Sequence, residues 1–283
     1  YDSVSGAIHF IFPNTITVGS VKAIRTQDIV TWNIISTDKW RRPIYFAITC
    51  SSDSKIGLDR YFRMDGLAMK LVPVEGPSNE SIIVDTILAT NLYNSPSGYS
   101  KTFQRGYKYR GLNDSAVYYD ETVTRLMINY RNAFLRLALY YINRSHDNAK
   151  AIEALDSMES KIPHRVIPMD YRLLYDVANF YNHAGAKDKF NQYSDEVAAK
   201  LIDVITKNPN QPLGQYNPYT LLLSIYESRK EYDKAIDILN TIGARYATLS
   251  PGIEEQVKER IARIRTQMEM KKDTVALQPQ EKK

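Results

Sequence analysis

Two hydrophobic spacings divide the chain. Up to about residue 93, apolar residues come in short runs bounded by Gly, Pro and Ser. From Asp120 onward they recur every three to four residues. The first part is organised around Trp40-Arg41-Arg42-Pro43-Ile44-Tyr45-Phe46-Ala47-Ile48-Thr49. Residues 44–50 are too few for an ordinary helix and rich in β-branched and aromatic side chains, which predicts a strand buried on both faces. Ahead of it, Thr26-Gln27-Asp28 reads as a helix start with Thr26 as N-cap. That helix runs to about Thr37 and buries Val30 and Ile34; its β-branched content makes a strand the alternative. Behind it, Ser54 caps a second helix carrying Ile56, Leu58, Tyr61 and Phe62, which Gly66 ends. Leu67, Met69 and Leu71 then alternate with Ala68, Lys70 and Val72 at strand period until Pro73. The order helix–strand–helix–strand predicts two parallel strands joined by a crossover helix. His9-Phe10-Ile11-Phe12 reads as a further short strand, and a helix near 83–93 carries Ile83, Ile87 and Leu88.

Residues 94–117 form a long predicted loop in which Lys101, Arg105, Lys108 and Arg110 alternate with Phe103, Tyr107 and Tyr109. A loop this long is often a docking segment. Beyond it, Val123, Leu126, Met127, Tyr130, Phe134, Leu137, Ala138 and Tyr141 form an amphipathic stripe. With a second helix near 147–160 carrying Ala151, Leu155 and Met158, this pair has the pattern of a tetratricopeptide repeat. The arrangement recurs with Leu174, Ala178 and Tyr181 against Phe190 and Val197, and with Leu222, Leu223 and Tyr226 against Ala235, Leu239 and Ile242. The connections are longer than the roughly 34-residue standard period allows, and Phe190 stands where a small residue is expected, which puts tight packing of the second pair in question. Ser250-Pro251 opens a last helix with Ile253, Val257, Ile261 and Ile264 on one face and charge on the other, the pattern of a solenoid cap. The expected fold is therefore mixed: a small N-terminal α/β unit (1–93), a linker loop (94–117), a tetratricopeptide-like helical-hairpin array with a capping helix (118–270) and a disordered tail (271–283).

Composition narrows the chemistry. Hydrophobic residues are 43% and charged residues 24%, enough for a sizeable core without staples. The one cysteine, Cys50, falls in the predicted buried strand and reads as a small core hydrophobe. The histidines His9, His146, His164 and His183 are scattered without ligand spacing, and no Gly-rich phosphate loop or hydrolase nucleophile motif is present. No cofactor or metal is expected. Asp53, Asp59 and Asp65 lie near predicted strand ends, where α/β sites often form, but capping and solvated helix surface is the favoured reading. Arg41-Arg42 suits a phosphate at a sheet edge and a solvated, salt-bridged turn equally well. The basic aromatic loop could meet an anionic membrane surface, a glycan or nucleic acid, and the net charge of +5 is too modest to favour nucleic acid. No apolar run is long enough to span a bilayer. The chain opens on Tyr1 rather than Met, as expected of a processed product or a piece of a longer protein.

Several stretches carry a resemblance. Trp40-Arg41-Arg42-Pro43-Ile44-Tyr45-Phe46-Ala47, Gly57-Leu58-Asp59, Gly66-Leu67, Leu71-Val72-Pro73, Tyr109-Arg110-Gly111-Leu112, Tyr119-Asp120-Glu121 and Asn129-Tyr130-Arg131-Asn132 are similar to a bacterial family of multi-spanning membrane proteins of unknown function. That family is assigned to the GT-C-type glycosyltransferases related to protein O-mannosyltransferases. The resemblance implies an N-terminal membrane domain outside this chain and a lipid-linked sugar donor. It also implies a periplasm-facing, extracytoplasmic module that positions an acceptor protein or partner chain. The catalytic acid of such enzymes lies on the membrane domain, so no catalytic residue carries over and this chain alone is expected to transfer no sugar. The expected partners are the membrane domain, an acceptor protein or peptide and an anionic membrane surface. The candidate partner-binding residues are Arg41, Arg42, Arg105, Tyr107, Lys108, Tyr109, Arg110, Asn132, Arg136 and Tyr140. Of these, Asn132, Arg136 and Tyr140 lie off the apolar stripe and are expected to face a concave groove. The rival reading is a stand-alone tetratricopeptide-like adaptor that holds a peptide in that groove. A third is a soluble enzyme with its site near Ser51 and Asp53.

Overall fold

The computed structural model describes residues 16–76, 81–96, 100–212, 214–248 and 250–276. His9–Phe12 and the end of the expected tail lie outside this range. A small strand region is followed by a helical array, as the two hydrophobic periods predict. Packing divides the chain into two compact units, Tyr1–Pro168 and Met169–Lys283.

The first unit opens with an antiparallel hairpin, β1 (Ile16–Val18) and β2 (Val21–Ala23), followed by helix α1 (Thr26–Asp38). A second sheet holds β3 (Tyr45–Ala47), β4 (Phe62–Met64) and β5 (Ala68–Leu71) in the order β3-β5-β4. Both pairings are antiparallel, with Phe46 and Met64 each opposite Met69. The expected parallel pair with a crossover helix is therefore not formed. The predicted helix from Ser54 is two short 3₁₀ turns, Ser52–Lys55 and Asp59–Tyr61, separated where Ile56 takes a left-handed conformation with φ 50°. Without a helix to cross the sheet, the chain can only return antiparallel. The central strand is also shorter and less buried than expected. It spans three residues with Tyr45 and Ala47 exposed and Phe46 turned inward, and Cys50 lies half-buried beyond it.

The core of this region is Ile56, Leu58, Phe62, Met69 and Leu71, with Trp32, Ile35, Ile44, Phe46 and Tyr61 packed against it. Phe46 meets Phe62 edge-on at 4.8 Å between ring centroids. Helix α1 thus meets the core through Trp32 and Ile35. Val30 and Ile34, expected inside, are more than half exposed. The residue capping α1 is Arg25 rather than Thr26, and it lends no side-chain cap.

Helix α2 (Asp85–Tyr93) buries Leu88 and Leu92 and packs on α3 (Glu121–Tyr140). Asp120 caps α3 by accepting the Val123 amide, and a π-turn at Tyr141–Ser145 leads into α4 (Asn148–Lys161), capped in the same way by Asp147. Arg131 of α3 is wholly buried. Its guanidinium donates to the carbonyls of Ile162, at 3.1 Å, and Ile167, fastening the segment after α4 to α3.

The second unit stacks α5 (Tyr171–His183), α6 (Lys187–Lys207), α7 (Pro218–Ser228), α8 (Tyr232–Tyr246) and α9 (Ile253–Ala276), each against the next. Phe190 is accommodated: it is buried in α6, and Tyr181 and Tyr193 stack with centroids 5.3 Å apart. Tyr219, Leu223, Leu239, Ile242, Tyr246, Val257 and Ile264 form the core beneath α9. Asn217 caps α7 and donates to Tyr246 Oη and the Pro212 carbonyl, pinning the long insert before that helix. Helix α9 runs to Ala276, six residues into the expected tail.

Candidate functional site

The residues singled out by sequence fall into two separate clusters and a helix face. The first cluster is the turn that ends α1. Lys39 and Trp40 both take positive φ, 51° and 62°. A bulky side chain rarely adopts that conformation, so the surroundings must enforce it. Asp38 does so. Its carboxylate accepts the Arg42 amide at 3.0 Å and the Arg42 guanidinium at 3.1 Å, while its carbonyl accepts the Arg41 amide. Arg41 and Arg42 are exposed, as is Trp40.

The Arg42 amide most of all, with its guanidinium and the charges of Arg42 and Arg41, holds the Asp38 carboxyl below the ordinary carboxylate range, while burial, second in size to the amide, opposes it. A carboxyl with a depressed folded pKa stabilises the folded state above its unfolded value of about 4. That contribution is lost as pH falls through the folded value. Asp38→Asn is therefore expected to be less stable than wild type at neutral pH and to converge on it in acid. Thermal melts followed by tryptophan fluorescence across that range check this.

The second cluster is the loop before α3, where the structure sorts the alternating residues. Tyr107 and Tyr109 turn inward, and Arg105, Lys108 and Arg110 stay exposed. The Tyr107 hydroxyl accepts the Leu67 amide at 2.6 Å and donates to the Asp65 carbonyl at 3.1 Å. The Tyr109 hydroxyl donates to the Leu92 carbonyl at 3.0 Å. Both rings pack edge-on against Tyr130 of α3, at 5.7 and 6.1 Å. Burial pushes both hydroxyls above the ordinary tyrosine range. The Lys161 ammonium sits 4.9 Å from the Tyr109 ring and donates to the Tyr93 carbonyl; burial lowers its pKa. Tyr107 and Tyr109 therefore anchor the loop to the fold. Among the described residues, the aromatics most exposed before α3 are Phe103 and Tyr118, each about 90% exposed.

On α3, Arg136 is exposed, and Asn132 and Tyr140 are half-buried, with Tyr140 edge-on to Tyr141 at 5.9 Å. The strand-end carboxylates have separate partners. Asp53 pairs with Arg25, Asp59 with Lys55 at 3.8 Å, and Asp65 with Arg63 through two bonds of 2.7 and 2.9 Å. Among the described residues no group of His, Cys, Asp or Glu is placed to hold a metal, and no helix is long and apolar enough to cross a membrane.

Sequence reasoning missed the outer face of α1. Val30, Asn33, Ile34 and Thr37, with Asp38 and Arg42, line an open groove of about 380 Å³. The signal was present: apolar residues occur all round α1, so no single buried stripe could account for them. In the second unit it missed a polar cluster. Tyr216 donates to Asp176 at 3.0 Å, Tyr175 of α5 donates to Ser224 of α7 at 2.9 Å, and Arg172 stacks on Tyr171 and Tyr216.

Residues 11–92 match the family model described as TMEM260-associated domain 2. The match covers less than a third of the chain and takes in both sheets, α1 and nearly all of α2. No curated protein and no solved structure matches the chain.

Proposed function

We propose that this chain is a membrane-protein-associated module that holds a protein partner and performs no transfer itself. The observation that carries this reading is the match of residues 11–92 to a TMEM260-associated domain, a family linked to protein O-mannosyltransferase-like proteins. In finer detail, the chain is the extracytoplasmic part of a bacterial GT-C-like glycosyltransferase, facing the periplasm beside a membrane domain and positioning the acceptor polypeptide. Two features support holding over reacting. The carboxylates near the strand ends are engaged with neighbouring bases, and the rest of the chain is helices whose polar faces suit an extended polypeptide. Purified chain supplied with lipid-linked sugar and acceptor polypeptide should bind the polypeptide and transfer nothing. Turnover by this chain alone would overturn the reading and return attention to a soluble enzyme.

The second reading is a tetratricopeptide-like adaptor. The cluster of Tyr175, Ser224, Asp176, Tyr216 and Arg172 favours it, because it brings together hydrogen-bonding and stacking groups from α5, from α7 and from the insert before α7. Peptide binding abolished by Arg172→Ala, with no dependence on a membrane protein, would select it.

A further inference from the structure

Helix α1 is apolar on two opposite faces. Trp32 and Ile35 meet the core of the strand region. On the other side, Ile29, Val30 and Ile34 are 53%, 52% and 56% exposed, with the uncharged Thr26, Asn33 and Thr37 among them. An uncharged face that exposes three large apolar side chains marks a contact surface. Its electrostatics are one-sided. Both acids of the helix are paired and little exposed: Asp28, at 2%, against Arg25, and Asp38, at 8% in the lining of the groove, against Arg42. The residues that follow, Lys39, Trp40, Arg41 and Arg42, are all exposed, and the strained turn that presents them is held by Asp38. Tyr45, a little further on, is half exposed.

We propose that this face rests on an anionic phospholipid bilayer. Ile29, Val30, Ile34 and Trp40 reach the boundary between headgroups and acyl chains, and Lys39 and Arg41 meet the phosphates. An apolar helix face whose one acid, Asp38, is paired with Arg42, followed in the chain by exposed bases and a tryptophan, is what such a boundary selects. A protein–protein interface ordinarily carries hydrogen bonds throughout, and the exposed apolar side chains of this face offer none. The surface differs from the basic loop and is independent of the holding role above, since a module can sit on a membrane whatever polypeptide it binds.

The test is co-sedimentation of the full chain with vesicles of phosphatidylcholine, with and without phosphatidylglycerol. Wild type should bind the anionic vesicles, more weakly at high salt, with a blue shift of tryptophan emission. Ile34→Glu should weaken binding about tenfold or more, since burying an isoleucine is worth that factor. Arg41→Glu should weaken it on anionic vesicles. Ile34 is exposed, so its variant should melt as wild type does. Three results would each overturn the proposal. One is failure of wild type to bind anionic vesicles, including the case of self-association abolished by Ile34→Glu, which would make a second copy the occupant. Another is equal binding by the Ile34 variant. The third is binding that survives Ile34→Glu but is lost in Arg105→Glu/Arg110→Glu, which would put the contact on the loop.

Discussion

Arg131→Ala is expected to lower the stability of the first unit by about 3–4 kcal/mol, the cost of a buried cavity together with carbonyls stripped of a charged donor. The guanidinium is wholly buried in α3 and reaches the carbonyls of Ile162 and Ile167, 31 and 36 residues further along. It thus closes the end of the α3–α4 hairpin, which side-chain packing alone would leave free to fray. Arg131→Met refills most of the volume but supplies no donor, so it should recover only the packing share. Both bonds leave the one nitrogen Nη2, so Arg131→Lys, which keeps the charge and carries three donors on one nitrogen, should recover more than Arg131→Met. The protein has two tryptophans, Trp32 and Trp40, both in the first unit, so denaturant unfolding followed by tryptophan emission reads this unit separately from α5–α9. A loss under about 1 kcal/mol for alanine would mean that the hairpin end is held by other contacts.

Gly66→Ala is expected to cost about 3 kcal/mol or more, and for two separable reasons. Gly66 takes φ 120°, a backbone conformation that side-chain-bearing residues rarely adopt. A Cβ there would also lie 1.6 Å from the Tyr107 hydroxyl, which holds the loop against the β4–β5 turn through Leu67 and Asp65. The alanine must push Tyr107 out and break both hydrogen bonds. In a Tyr107→Ala background the steric part disappears and the backbone part remains, so the double-mutant cycle should show the two costs to be less than additive. Strict additivity would put the whole effect in the backbone. The sequence placed Gly66 at the end of a helix; the structure makes it the one residue small enough to sit beneath Tyr107.

The helices from α3 onward were legible because a helix writes its buried face into residues three and four apart. Val123 to Tyr141, and later Leu174, Ala178 and Tyr181, carry that period over enough turns to exclude a strand. Asp120 was legible as a boundary because the hydrophobic period changes there, and the structure makes it the N-cap of α3. Before residue 93 the runs are too short to state a period. The segment 52–65 held apolar residues compatible with a helix, and only the left-handed Ile56 and the antiparallel return of β4 and β5 resolve it. In α1 the helix was legible but its orientation was not, because apolar residues on both faces give no preference until the core selects Trp32 and Ile35.

The candidate site divides in the same way. The alternation of Tyr107, Lys108, Tyr109 and Arg110 is legible in the sequence, which grouped tyrosines and bases as one binding set; the structure parts them. Which side meets solvent depends on Leu67, Leu92 and Tyr130, between 17 and 40 residues away for the two hydrogen-bonded partners. Arg131 read as one polar residue in a family-like stretch, and its role came from carbonyls a whole helix further on. Periodicity, caps and composition act within a few residues and were decided by the chain itself. Strand direction, the inner face of α1 and the partners of Arg131 and Tyr107 were decided only when distant segments met, because each is a choice between locally equal alternatives that burial of a shared core makes unequal.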